Sequence, residues 1–193
     1  ILARRAANLN VERKIKDIVN RMENRARSMG FDMRGGQPTG GNIAGGLTTI
    51  EEKSLGAIAK SGTKPIDDVY EYGDRPNSKG LFIVDTPGRE PEFLTALGAA
   101  GAQVIIFTTG IGAPQGFPFV PVLKITGNPI TYESLKDHID VLIEQDEEKS
   151  LDIGRLGKSL YKEILAVASG KQTKAETIGY GKFPNIFTIG PVI

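Results

Sequence analysis

The sequence predicts an α/β fold of three layers, a mainly parallel sheet flanked by helices in the Rossmann-like manner. Three observations predict it. Leu81-Phe82-Ile83-Val84 and Gln103-Val104-Ile105-Ile106-Phe107 are nearly continuous apolar runs, the pattern of strands buried on both faces. A helical pattern, Pro91 to Ala100, separates them, with proline in its first turn and Gly101 beyond its end. Strands and helices then continue to alternate, as in a parallel sheet with crossover helices. The 193 residues suit one domain, and no repeat or Pro/Ser-rich linker divides them, so residues 1–193 are read as a single α/β domain.

The elements follow in order. Val11, Ile15, Ile18, Met22, Ala26 and Met29 lie 4, 3, 4, 4 and 3 residues apart, one face of an amphipathic helix that fills residues 1–30 and leads into the domain. Gly30 is placed to end it. Residues 1–34 hold nine basic and four acidic side chains, read as the helix's solvated side. The stretch from Gly35 to Gly46 is too rich in glycine for regular structure, since each interior glycine costs a helix ~1 kcal/mol relative to alanine. It opens onto a helix in which Thr49 and Glu52 fit a capping box and which closes near Gly62. Asp68 to Tyr72 alternates as a strand. Further along, the patterns predict a strand at Val120 to Thr126, a helix at Thr131 to Lys136, a short strand at Ile139 to Ile143, and a long amphipathic helix from Ser150 to Ser169.

Composition excludes several function classes. With 24 basic and 23 acidic residues the net charge is +1, too balanced for a strongly basic nucleic-acid binder. No apolar run approaches the ~20 residues of a membrane helix. Neither nucleic acid nor membrane is therefore expected as a partner. Cysteine is absent, which removes disulfides, thiolate metal sites and cysteine nucleophiles. His138 is the single histidine, so the chain carries no two-histidine metal motif. It begins at Ile1 rather than Met and is read as a piece of something longer.

Four stretches could carry chemistry. The turn from Asn42 through Gly45, Gly46, Thr48 and Thr49 runs into a helix start, where backbone N–H groups suit an organic acid or phosphate. Glu51 and Glu52 place two negative charges in the same turn, so either a cation bridges the anion or the loop is locked by its own caps. Next, Asp85 and the pair Thr108 and Thr109 stand just past apolar strands, where open parallel sheets bind ligands, although Asp85 and Thr86 equally suit a helix cap. Asp85-Thr86-Pro87-Gly88 looks like a GTPase magnesium loop, but the Gly-x-x-x-x-Gly-Lys-Ser/Thr cradle is missing. Third, Gly110 to Pro121 is a long loop whose aromatics, Phe117 and Phe119, are expected to be exposed, suited to a lid, a contact surface or disorder. Lys124 follows it among Val122, Leu123 and Ile125. On a central strand its ammonium is partly desolvated and becomes a usable base; on an edge it snorkels to water. Finally, His138 and Asp140, two apart on a strand, share a face, as a metal site or an oriented base needs, or His138 is simply hydrogen-bonded.

In this order the stretches resemble the C-terminal region of the altronate dehydratase / galactarate dehydratase family and its relative, the large subunit of sulfolactate sulfo-lyase. The resembling residues run from Pro38-Thr39-Gly40-Gly41-Asn42 through Leu47-Thr48-Thr49-Ile50-Glu51-Glu52-Lys53 to Gly56. They continue with Asp85-Thr86-Pro87-Gly88, Phe107-Thr108-Thr109-Gly110, Pro121 to Ile125, Asn128-Pro129, His138-Ile139-Asp140 and Ala168 to Glu176. Gln37 and Gly40 depart from the family's Asn and second Pro in the turn, and Gly116-Phe117 replaces its Gly-Cys or Gly-Asn pair. A histidine at the position of His138 belongs to the sulfo-lyase pattern and is not required in the sugar-acid dehydratases.

The resemblance implies the C-terminal domain of a longer cytoplasmic lyase that removes water from a sugar acid of altronate or galactarate type, or sulfite from sulfolactate. The remaining N-terminal domain or a small subunit would complete the active site, and a homo-oligomer is allowed. β-Elimination beside a carboxylate needs a base, stabilisation of the enediolate and help for the leaving group. A divalent cation, Fe2+ or Mn2+, would stabilise the enediolate and resolve the charge problem at Glu51 and Glu52. Lys124 is the preferred base, with His138 and Asp85 as further catalytic candidates. Asn42, Gly45, Gly46, Thr48, Thr49, Thr108 and Thr109 would hold the acid. Two rivals stand beside this reading: a non-catalytic assembly module, and a flavodoxin-like nucleotide binder.

Overall fold

Asn8 opens the first helix of the computed structural model, its side-chain oxygen accepting from the Asn10 and Val11 N–H groups at 3.0 and 3.1 Å. The structure describes residues 1–33, 36–44, 46–143, 152–181 and 184–188, in two compact units, Ile1–Asp85 and Thr86–Ile193.

In the first unit, helix α1 (Leu9–Ser28) packs Val11 and Ile15 against Ile66 and Val69. The expected apolar stripe is buried at this end, while Met22 and Met29 are exposed. Strands β1 (Asp68–Tyr70) and β2 (Phe82–Val84) pair in parallel, with Val69 opposite Ile83. The first strand stops short of Tyr72 because Glu71 and Asp74 form a turn: the Asp74 N–H donates to the Glu71 carbonyl at 3.0 Å, and the Glu71 N–H to the Asp74 side chain at 3.2 Å.

Between α1 and β1 the glycine-rich stretch departs from expectation. Gly40–Ala44 wind into a short helical turn, α2. Asn42 and Thr39 supply what glycine propensity lacks: the Asn42 side-chain oxygen accepts from the Thr39 N–H and hydroxyl at 3.1 and 3.0 Å. Helix α3 (Ile50–Lys60) starts at Thr49 as expected, the hydroxyl accepting the Glu52 N–H at 3.1 Å. Gly45 lies outside the described residues.

The second unit holds helix α4 (Glu90–Ala99), then strands β3 (Ile105–Thr108) and β4 (Val122–Thr126), helix α5 (Pro129–Ser134), strand β5 (Val141–Leu142), and helices α6 (Ile153–Ala168) and α7 (Lys174–Thr177). All three strands are parallel in the order β3-β4-β5, with Lys124 opposite Phe107. The architecture is thus α/β with parallel pairing, and its strands fall into two ladders, one in each unit. Burial on both faces belongs to β4, whose five residues are all buried; β3 instead leaves Ile106 45% exposed.

Parallel neighbours cannot be joined by a hairpin, so the chain between β3 and β4 must cross back over the sheet. Here that crossover is the loop from Thr109 to Pro121, which contains no helix. Phe117, expected to be exposed, is instead a core residue with Leu94, Ile105, Val120 and Val122, while Phe119 is exposed and meets its ring edge-on at 5.7 Å. Gly110 anchors the start of the loop: its carbonyl accepts from the Asn128 amide at 3.2 Å and the Thr131 hydroxyl at 2.7 Å.

Gly112 carries φ +102°, and a Cβ there would stand 2.2 Å from Leu135 Cδ1. Both effects act in the same direction. Gly112→Ala should destabilise the fold by about 1–3 kcal/mol, read as a lower urea midpoint; an unchanged midpoint would show that the loop relaxes freely.

Candidate functional site

The sequence-predicted residues divide between the units. In the first, the turn before α3 is held by its own side chains. Glu52 is capped differently from a capping box: its Oε2 accepts from the Thr48 N–H at 2.8 Å and hydroxyl at 2.6 Å, one residue before the expected Thr49 N–H. Those two donors hold its carboxyl below the usual carboxylate range. The Lys53 ammonium reaches the side-chain oxygens of Gln37 and, at 2.8 Å, Asn42. Gly46 and Leu47 direct their N–H groups to the Ile43 and Asn42 carbonyls.

Asp85 follows β2, where its N–H extends the ladder to the Tyr70 carbonyl at 2.8 Å. Its carboxylate takes the Arg21 guanidinium at 2.6 Å, and the same Arg21 binds both oxygens of Glu71 at 2.9 and 2.7 Å. The guanidinium depresses the Glu71 carboxyl, and Glu71 and Asp85 together raise Arg21. Asp85 also lines a groove of about 520 Å³ beside Ile18, Val19, Met22, Arg27 and Met33. Arg21 is a residue that sequence patterning places only on the polar side of α1.

In the second unit, Thr108 ends β3, and the Thr109 hydroxyl accepts the Gly112 N–H at 2.9 Å, which starts the crossover loop. Lys124 is fully buried at the centre of β4. Its ammonium donates to the Pro114 carbonyl of that loop. Burial pushes the ammonium down to about 8, with Glu90 and Asp140 opposing the shift by their charge. Burial likewise raises the Glu90 carboxyl, against the attraction of Lys124 and a hydrogen bond from the Gln115 N–H. Nothing in the spacing of the sequence marks Glu90, first residue of α4, as the carboxylate that faces Lys124.

The expected pairing of His138 with Asp140 on one strand face does not form. His138 belongs to the turn after α5, because its N–H and that of Ile139 both return to the Leu135 carbonyl, at 2.8 and 2.9 Å. The strand therefore begins only at Val141. Asp140 is a clamp: its oxygens accept the Lys124 N–H and the Lys174 N–H, each at 2.7 Å. His138 meets Tyr180 edge-on at 5.8 Å, and its Nδ1 is buried without a partner.

Among the described residues, no three of His, Asp and Glu gather to hold a metal ion. Glu52 is committed to Thr48, and Glu51 is its neighbour on an exposed first turn. Both Thr48 contacts fall on Glu52 Oε2, so the turn offers a cation the Glu51 carboxylate and the other Glu52 oxygen.

Residues 1–191 match the family model described as D-galactarate/altronate dehydratase, C-terminal. The chain is 35% identical over 185 residues to (2R)-sulfolactate sulfo-lyase subunit beta of Chromohalobacter salexigens, covering 95% of this chain and 48% of that protein. It is 36% identical over 185 residues to altronate dehydratase of Bacillus subtilis, covering 91% and 35% respectively. Against galactarate dehydratase (L-threo-forming) of Escherichia coli the identity is 34% over 193 residues, covering 100% and 37%. The chain thus spans between about a third and a half of the length of these relatives.

The depressed Lys124 makes stability depend on pH with a defined sign. Below pH 8 both folded and unfolded chains carry the charge, and the full cost of burying it stands. Between about 8 and the ordinary value of 10.5 the unfolded chain binds more protons, so stability rises with pH. Against a Lys124→Met variant, the wild type should gain on the order of 3 kcal/mol across that window, measured by urea unfolding. Parallel stability curves would contradict the assigned burial of charge.

Proposed function

Because the chain belongs to the D-galactarate/altronate dehydratase family, whose C-terminal region it matches, we propose that it is part of a lyase that eliminates water from a sugar acid of altronate or galactarate type. The observation that carries the chemistry is Lys124, a buried amine at the centre of β4 whose basicity is lowered toward neutral pH. General bases work best with proton affinity near the operating pH.

In this proposal neutral Lys124 takes the proton from the carbon beside the substrate carboxylate. The C–H electrons form the new double bond, and the β-hydroxyl leaves as water with a proton. The resulting enol becomes a 2-oxo acid. Lys124 is fully buried with one ammonium N–H on the Pro114 carbonyl of the crossover loop, so in this proposal substrate entry requires that loop to move. Thr108 and Thr109, at the end of β3, are proposed acid-binding groups of the same unit. His138, with its unpartnered Nδ1, is proposed as a further proton carrier.

In the first unit, the turn with Asn42, Gly45, Gly46, Thr48 and Thr49 is proposed as an acid-binding segment of that unit. The Lys53 cation held in place by Gln37 and Asn42, and the exposed start of α3, support that role. Asp85 is proposed as a charge-positioning residue through Arg21. Fe2+ or Mn2+ is proposed as the cofactor, with Glu51 and Glu52 contributing carboxylates and the rest of the enzyme the remaining ligands.

The second reading is elimination of sulfite from sulfolactate, with this chain belonging to the larger subunit of a two-part enzyme. The similarity to the sulfo-lyase subunit beta favours it. The rest of the polypeptide, or a small subunit, is the proposed partner in either case. A non-catalytic assembly role predicts full activity from enzyme altered at Lys124.

The test is the full-length enzyme, assayed on aldarates, aldonates and sulfolactate, after chelation and again with Fe2+ or Mn2+ restored. Formation of a 2-oxo acid from an aldarate or aldonate supports the dehydratase reading; sulfite release supports the second. Lys124→Met and Lys124→Ala should each lower kcat by roughly 10²–10⁴-fold. Full turnover by both variants removes lysine from the role of base.

A further inference from the structure

The peptide unit that joins Pro114 to Gln115 is held at both ends by opposite charges. Its carbonyl oxygen accepts from the Lys124 ammonium. Its N–H donates to the Glu90 carboxylate. Glu90 and Lys124 attract one another, yet Glu90 Oε1 is buried with no hydrogen-bond partner. The attraction runs across the peptide rather than through a direct hydrogen bond. The peptide dipole lies the favourable way round, oxygen toward the cation and N–H toward the anion, and hydrogen bonds to ionised groups are the strong ones.

This arrangement answers a question of location. A lysine on a strand buried on both faces has little water to solvate it. A carboxylate at the first residue of α4 gains from the positive end of the helix. The crossover loop passes between the two and gives each a backbone partner. Pinned at Gly110 by Asn128 and Thr131, and at Phe117 by the core, the loop is held at its middle by these two charges.

We infer that Glu90 is a positioning residue for Lys124: the two clamp the Pro114–Gln115 peptide between them, which fixes the crossover loop over the lysine and keeps a compensating charge beside it. The groups facing Lys124 are Glu90 from α4, Asp140 before β5, the Pro114 carbonyl from the loop and apolar Phe107 from β3. Asp140 is committed to two backbone N–H groups, so Glu90 is the carboxylate with an oxygen still unengaged. Opening the loop for substrate requires one of the clamping charges to be lost or redirected. Discharge of Lys124, the event that makes it a base, removes the charge from its hydrogen bond to the Pro114 carbonyl and so weakens the hold on the loop at the same time.

The activity arm of the test rests on the reading of Lys124 as base; the structural arm does not. Glu90→Gln keeps a hydrogen-bond acceptor and removes the charge, while Glu90→Ala removes both. In the full-length enzyme, hydrogen–deuterium exchange of the peptide covering residues 110–121 should quicken in Glu90→Ala by roughly tenfold or more relative to wild type. Unchanged exchange overturns the clamp. The rising limb of the kcat–pH profile should move to lower pH by roughly half a unit or more in Glu90→Gln, because the lost carboxylate no longer favours the charged lysine. An unshifted limb, in an enzyme that Lys124→Met inactivates, overturns the role of Glu90. If Lys124→Met is fully active, the base reading has failed instead, and the clamp stands or falls by exchange alone.

Discussion

Parallel pairing of β3 with β4 obliges the chain to cross the sheet between them, and here it crosses as a loop rather than a helix. A helix would cover the sheet with its own hydrogen bonds satisfied. A bare loop must satisfy its backbone elsewhere, and it does so with side chains from around it. Asn128 and Thr131 take the Gly110 carbonyl, Thr109 takes the Gly112 N–H, Lys124 takes the Pro114 carbonyl and Glu90 takes the Gln115 N–H. The Gly116 N–H goes to the Tyr180 carbonyl at 2.7 Å. Two of the candidate site residues, Lys124 and Thr109, are thus also partners of one crossover.

That double duty explains the character of Lys124. A lysine on a fully buried strand would ordinarily be a heavy cost. Here the loop carbonyl and the neighbouring carboxylates offset part of it, and the remainder appears as lowered proton affinity. Structural need and chemical usefulness come from the same desolvation. Asp140 shows the opposite outcome: with both oxygens taken by backbone N–H groups, it joins β4 to α7.

The first unit organises its charges at the surface. Arg21 gathers Glu71 and Asp85, and Arg5 ties the end of α3 to the N-terminal segment through the Ser61 and Lys64 carbonyls. These groups are substantially exposed, where single ion pairs contribute little to stability. Their role is to orient backbone and side chains. The glycine-rich turn is similar, held by Thr39, Asn42 and Lys53 rather than by a core.

Sequence alone determined what depends on neighbours along the chain. The α1 periodicity, the Thr49 start of α3, the proline-led α4 and the run that becomes β4 are local patterns, and local hydrogen bonds and burial periodicity produced them. The apolar setting of Lys124 among Val122, Leu123 and Ile125 was legible in the same way, but its desolvation followed only from β4 being the central strand. Tertiary structure decided the rest. Which apolar run is buried on both faces depended on strand order, so β4 took the place expected of β3. His138 left the strand because a turn captured its N–H, and Phe117 entered the core because the crossover passed over α4 and β3. Glu90 and the Pro114–Gln115 peptide could not be read beforehand, since Lys124 and Glu90 are brought together by the fold and no spacing along the chain encodes a charge pair that meets across a loop.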